Sequence, residues 1–187
     1  MGENIGKWLG KGITPKAFMD WMSKNQDQFQ SYYQGFTWKN DDEKFFSDFS
    51  NTKELRCAII ASDWCGDVVH NMPVVLRIME KANIPVEVFI LEENEELINK
   101  FLLYGGKSIP VVLLVTPNGD VIHRWGPRPA YIQEPMAKFK ALNLPRESDE
   151  YKEKVQEVYA EIHKRYGEGM AYQQLIVDEF KETLSGL

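Results

Sequence analysis

The chain has 187 residues, 43% hydrophobic and 27% charged, the profile of a globular protein with one domain and additions. Its 22 basic and 28 acidic residues leave a net charge of -6 and are interleaved without a basic patch, which argues against nucleic acid and anionic lipid as partners. The apolar run from Pro110 to Val115 is far short of the roughly 20 residues that span a bilayer, so no membrane association is expected.

Residues 1–13 carry no sustained apolar stretch of the secretory kind. Only two cysteines occur, Cys57 and Cys65, which is not the usage of a disulfide-stapled secreted scaffold. The expected location is the cytoplasm.

In chain order, Thr14 and Pro15 read as a cap and first residue of a helix, with Ala17, Phe18, Trp21 and Met22 recurring at helical spacing. A second helix is predicted from Asp41 to Phe49, where Phe45, Phe46 and Phe49 share a face. From Leu55 the pattern changes to short apolar runs of strand length: Leu55 to Ala61, Val86 to Leu91 and Pro110 to Val115. Val121 to Trp125, after Pro117-Asn118-Gly119-Asp120, is the second arm of a hairpin. Helical stretches near Val68–Ala82 and Asn94–Tyr104 separate the first three strands. Right-handed crossovers would make those strands partly parallel and the last pair antiparallel. After Pro145 the composition turns to charged helix, with Tyr151, Val155, Val158 and Ile162 in register. Gly167 and Gly169 break it before a last helix near Ala171–Leu184. The expected divisions are a helical extension over 1–50, a core over 51–145 and packing helices over 146–187.

Cys65 falls just after a buried strand, at the opening turn of a helix. Unpaired amides and the positive end of the helix dipole favour a thiolate there, so its pKa is expected to shift downward. Trp64 would shield one side of the sulfur, and Gly66 would let a partner backbone approach.

Trp64-Cys65-Gly66 after an apolar strand resembles the start of the thioredoxin active-site motif. Tyr104-Gly105-Gly106-Lys107-Ser108-Ile109-Pro110-Val111 resembles the loop that carries that family's cis-proline, and Asn118-Gly119-Asp120 its next turn. Trp125-Gly126-Pro127-Arg128-Pro129-Ala130 is similar to a subgroup whose redox motif reads W-C-G-D-C. The resemblance spans about Leu55 to Ala141. It implies an α/β thioredoxin-like fold, a central mixed sheet flanked by helices, with extra N- and C-terminal helices. It also implies a cis bond at Ile109-Pro110, with the proline against the active-site sulfur. Trp64, Gly66, Ile109, Pro110 and Arg128 then line the place where an extended partner docks.

The sequence departs from that family at two positions. Val68 stands where the resolving cysteine should be, and Ile59 where a buried aspartate would accept that thiol's proton. Cys57 is a poor substitute. Four residues of strand from it to Ala61 span about 13 Å, whereas a disulfide requires Cα atoms within about 7 Å. Cys57 therefore reads as a small buried hydrophobe. An efficient dithiol reductase is not expected.

Asp67 reads as a helix-cap acid or as a modulator of the thiol, which its charge would keep protonated. Asp63 reads as a solvated loop acid. Asp63, Cys65, Asp67 and His70 are close in sequence but lack the paired spacings of zinc sites. Neither His123 nor His163 has a cysteine neighbour in sequence. The reading requires no cofactor and no metal.

Two functions remain open. One is monothiol exchange through Cys65 with a protein or low-molecular-weight thiol or disulfide. The other is a degenerate module that binds an extended peptide around Trp64, Pro110 and Arg128 without covalent chemistry.

Overall fold

A computed structural model describes residues 2–39, 41–49 and 51–187. The expected division at residue 50 therefore lies outside the described residues. Four strands form a mixed sheet: β1 Arg56–Ala61, β2 Val86–Ile90, β3 Val111–Val115 and β4 Val121–Trp125, in the order β2-β1-β3-β4. β1 and β3 are the inner strands and are almost wholly buried, which is why both read as continuous apolar runs rather than alternating ones. β1 pairs in parallel with β2, setting Cys57 opposite Val86 and Ala61 opposite Ile90.

The third strand makes the sheet mixed, in keeping with the partly parallel arrangement expected. β3 runs antiparallel to β1, with Cys57 opposite Leu114 and Ile60 opposite Val111. The connection after β2 is less helical than expected. A helix was expected over Asn94–Tyr104, but the chain forms only a 3-10 turn at Leu91–Glu93 and a short helix at Glu95–Ile98. The 20 residues of 91–110 have the length of a crossover, but they return the chain beside β1 with β3 reversed. β4 returns as the antiparallel arm of a hairpin whose turn places Gly119 at φ +89°. An added Cβ at Gly119 would meet the Gly6 amide nitrogen at 2.3 Å, because the N-terminal segment is seated on this turn.

Eight helices are present among the described residues. α1 (Pro15–Trp21) starts as expected, with the Thr14 hydroxyl accepting the Ala17 amide at 3.1 Å. α2 (Gln26–Gly35) was not read from the sequence; its polar composition hides a single buried anchor, Phe29. α3 (Asp42–Asp48) matches the second expected helix. α4 (Gly66–Lys81) follows β1, and α5 is the short helix Glu95–Ile98. α6 (Ala130–Ala141) was also missed, since Pro127, Pro129 and an internal Pro135 obscure the pattern. α7 (Asp149–Tyr166) and α8 (Gln173–Ser185) complete the chain.

α4 packs against α2 and α8, and α6 against α7. Ile13 pairs with Val88, covering the outer edge of β2 that would otherwise expose unpaired backbone groups. The buried side chains of the sheet, of α1–α3 and of α8 form one contiguous cluster that includes Phe18, Phe29, Phe46 and Phe180. Each such phenylalanine contributes about 1.5–3 kcal/mol by leaving water. No helix among the described residues is long and apolar enough to cross a membrane.

Candidate functional site

β1 ends at Ala61, and the turn Ser62–Trp64 delivers Cys65 to the N-cap of α4. The sulfur is partly buried and lies 3.4 Å from the backbone carbonyl of Ile109, to which the thiol donates. The Ile109-Pro110 bond is cis, as the resemblance implied, and so is Gly126-Pro127. These two loops meet at Gly126, whose φ is +104°. A Cβ there would sit 2.2 Å from the Pro110 carbonyl oxygen, so only glycine fits. Ile109 and Pro110 are themselves buried; the group they present to the sulfur is the Ile109 carbonyl.

The thiol's acidity runs opposite to the expectation. Amides of Val68 and Asp67 and the Arg128 charge do favour the thiolate, as a helix N-terminus should. Burial outweighs them, the Asp67 carboxylate adds to it, and the Cys65 pKa is raised. The bond to Ile109 works in the same direction, because donation to a carbonyl requires the proton.

Val68 is fully buried in the first turn of α4, so the place of a resolving thiol is filled by packed hydrocarbon. Both cysteines are free. Cys57 is enclosed between β2 and β3, and burial drives its thiol far above the usual cysteine range.

Asp67 is held by Arg128 at both oxygens: Nε donates to Oδ1 at 2.8 Å and Nη2 lies 2.6 Å from Oδ2. The Tyr166 hydroxyl, from the end of α7, also donates to Oδ1 at 2.9 Å. Asn71 in α4 donates to that hydroxyl at 2.7 Å and to the Pro127 carbonyl at 2.9 Å. The C-terminal helices therefore reach the turn that carries Cys65. His70 Nδ1 lies 2.8 Å from the Gly66 carbonyl, and its ring sits among Tyr166, Tyr32 and Tyr172 at 4.8, 5.4 and 5.7 Å.

Asp63 is not a solvated acid. It is 5% exposed, and its Oδ2 accepts the Ser23 amide at 2.9 Å, the Ser23 hydroxyl at 3.1 Å and the Lys24 amide at 2.9 Å. Burial pushes its pKa up, but these donors win and hold the carboxyl below its ordinary value. Asn25 completes the joint by donating to the Asp63 carbonyl. Trp64 is half exposed, and its indole N–H donates to Glu92 at 2.6 Å; the buried Ser62 hydroxyl donates to the same oxygen at 2.9 Å. Gly66 has open space where a side chain would be.

Asp63 and His70 are thus turned to partners other than the sulfur. No group of three or more His, Cys, Asp or Glu among the described residues is placed to hold a metal ion. The contacts of Glu92, Tyr166 and Asn71 with this turn lie outside any local motif, and nothing in the sequence marked them.

An HIV epitope scaffold superposes with a TM-score of 0.67 at 12% identity, over 99% of each chain. A protein of unknown function from Pseudomonas aeruginosa gives 0.59 at 16% identity, over 87% of this chain and 99% of its own. At these identities the likeness is one of fold. Among curated proteins, none matches. A family model described as thioredoxin matches residues 12–142, taking in α1 to α6 and all four strands, and the chain belongs to the thioredoxin-like family.

Proposed function

We propose that this protein captures the sulfur of a partner as a mixed disulfide on Cys65 and holds it until an external thiol arrives. The observation that carries this reading is the pairing of a partly buried sulfur beside the cis-proline loop with a fully buried Val68 at the resolving position. In the first step the Cys65 thiolate attacks a disulfide of the partner; the Cys65–partner S–S bond forms, the partner's bond breaks, and its other sulfur leaves as thiolate. In the second, an external thiolate attacks the partner's sulfur and expels Cys65.

The raised pKa shapes both steps. It keeps most Cys65 protonated near neutrality, which slows capture. It also makes Cys65 a poor leaving group, which slows release. With no internal thiol to resolve the adduct, the combination favours a persistent complex over turnover. The partner class is a protein or low-molecular-weight disulfide. A reducing compartment such as the cytoplasm would supply the releasing thiol.

A second reading, binding without covalent chemistry, draws on the same protonated thiol and on the half-exposed Trp64 beside it. Intact mass measurement after incubation with a disulfide-containing peptide separates the two. The proposal predicts one peptide adduct, increasing with pH and absent in Cys65→Ser. Absence of an adduct in the unmodified protein, with equal retention of the peptide by it and by Cys65→Ser in a pull-down, would establish the non-covalent reading instead.

A further inference from the structure

A cavity of about 150 Å³ is lined by Ser108, Arg128, Lys140, Arg146, Tyr104 and Tyr151 among others. It adjoins a groove of about 380 Å³ that shares Tyr104, Lys140, Arg146 and Tyr151. Three cations therefore face one small space in a chain whose net charge is -6, and neither lining contains an aspartate or glutamate. Among the described residues, neither Lys140 nor Arg146 forms an ion pair with a carboxylate.

The cations are not loose surface charges alone. Lys140 Nζ donates to the Tyr151 hydroxyl at 2.9 Å and lies 5.1 Å from the centre of its ring. Arg128 is fixed by Asp67 through Nε and Nη2 and by the Gln133 side chain through Nη1 at 2.8 Å. That bonding leaves one N–H on each terminal nitrogen of its planar fork. Hydroxyls of Ser108 and the tyrosines add neutral donors.

We propose that this cavity binds the phosphate group of a small phosphate monoester, whose organic part lies in the adjoining tyrosine-walled groove. A monoester carries a charge of about -1.5 to -2 at neutral pH and three acceptor oxygens. Three cations lining one cavity, two of them without a carboxylate partner among the described residues, suit that better than a single carboxylate. Guanidinium groups supply the forked donors that phosphate accepts. Cys65 does not line the cavity, which meets the sulfur's surroundings through the Arg128–Asp67 pair.

Calorimetric titration with inorganic phosphate, acetate as the monoanion control, tests this. Phosphate is expected to bind at pH 8, to weaken at pH 5.5 as it loses charge and to weaken with added salt, with acetate about tenfold or more weaker. Arg146 is exposed and has no hydrogen-bond partner among the described residues, so Arg146→Glu leaves the fold intact and should reduce phosphate affinity about tenfold or more. Lys140→Gln should weaken it as well, and Cys65→Ser should not. Absence of phosphate binding, equal binding of acetate, or unchanged affinity in Arg146→Glu would each overturn the proposal.

Discussion

Arg128 grips Asp67 at both carboxylate oxygens, two residues along the chain from Cys65, so the charge nearest the sulfur is half of an ion pair. Their side chains are 11% and 18% exposed, which places the pair where screening by water is weak. The two partners act on the thiol with opposite signs. Asp67→Asn removes a charge that holds the proton on Cys65 and should move the alkylation midpoint down; Arg128→Gln removes an opposing charge and should move it up. Arg128→Gln should also destabilise the protein by about 3 kcal/mol, because it strands Asp67 without its partner. Iodoacetamide labelling against pH, with urea unfolding of the same variants, checks both.

Asp63 joins the loop before Cys65 to the turn between α1 and α2 through three donors. Asp63→Ala leaves the Ser23 and Lys24 amides without that acceptor and should cost about 1–3 kcal/mol in urea unfolding. The acid limb of stability gives a second readout. Asp63 has a folded pKa below its unfolded value of about 3.8, so its contribution is complete above that value and is lost as pH falls through the lower folded one. Asp63→Asn should therefore show a shallower loss of stability on acidification below about pH 4.

Cys57 should be chemically silent in the native protein. It is 1% exposed and its thiol is driven strongly upward by burial. Peptide mapping after alkylation at pH 8.5 should find label on Cys65 alone, with Cys57 labelled only after denaturation. Native labelling of Cys57 at a comparable rate would show that β1 opens far more readily than its burial implies.

Much of the fold was legible because apolar runs of strand length survive any tertiary context. β3 is a continuous Val and Leu segment and β1 is apolar from Cys57 to Ala61, and the turn at Asn118-Gly119-Asp120 announced the hairpin. Which of the first three strands is reversed was not legible, since an apolar run reads the same in either direction. α6 was hidden by its prolines, and α2 by a polar composition that leaves only Phe29 buried. At the site, Cys65 and the cis Ile109-Pro110 bond were found from local motifs. Asp67 and Arg128 were both named, but their ion pair spans 61 residues and could not be read from either segment. The direction of the Cys65 shift failed for a related reason. Local position predicts the helix amides correctly, whereas burial depends on segments distant in sequence, such as the loop that brings the Ile109 carbonyl to the sulfur.

Val68 bears directly on the account. Val68→Cys places a thiol in the first turn of α4, at the position where the family carries its resolving cysteine, and should convert capture into release. The decisive measurement is the lifetime of a Cys65 mixed disulfide, formed with a model peptide disulfide, purified, and followed by intact mass in the absence of added thiol. The account predicts that the adduct persists in the unmodified protein and is shed only when an external thiol is supplied, while Val68→Cys sheds it unaided. Spontaneous loss of the peptide from the unmodified protein, at the rate of the Val68→Cys variant, would contradict it.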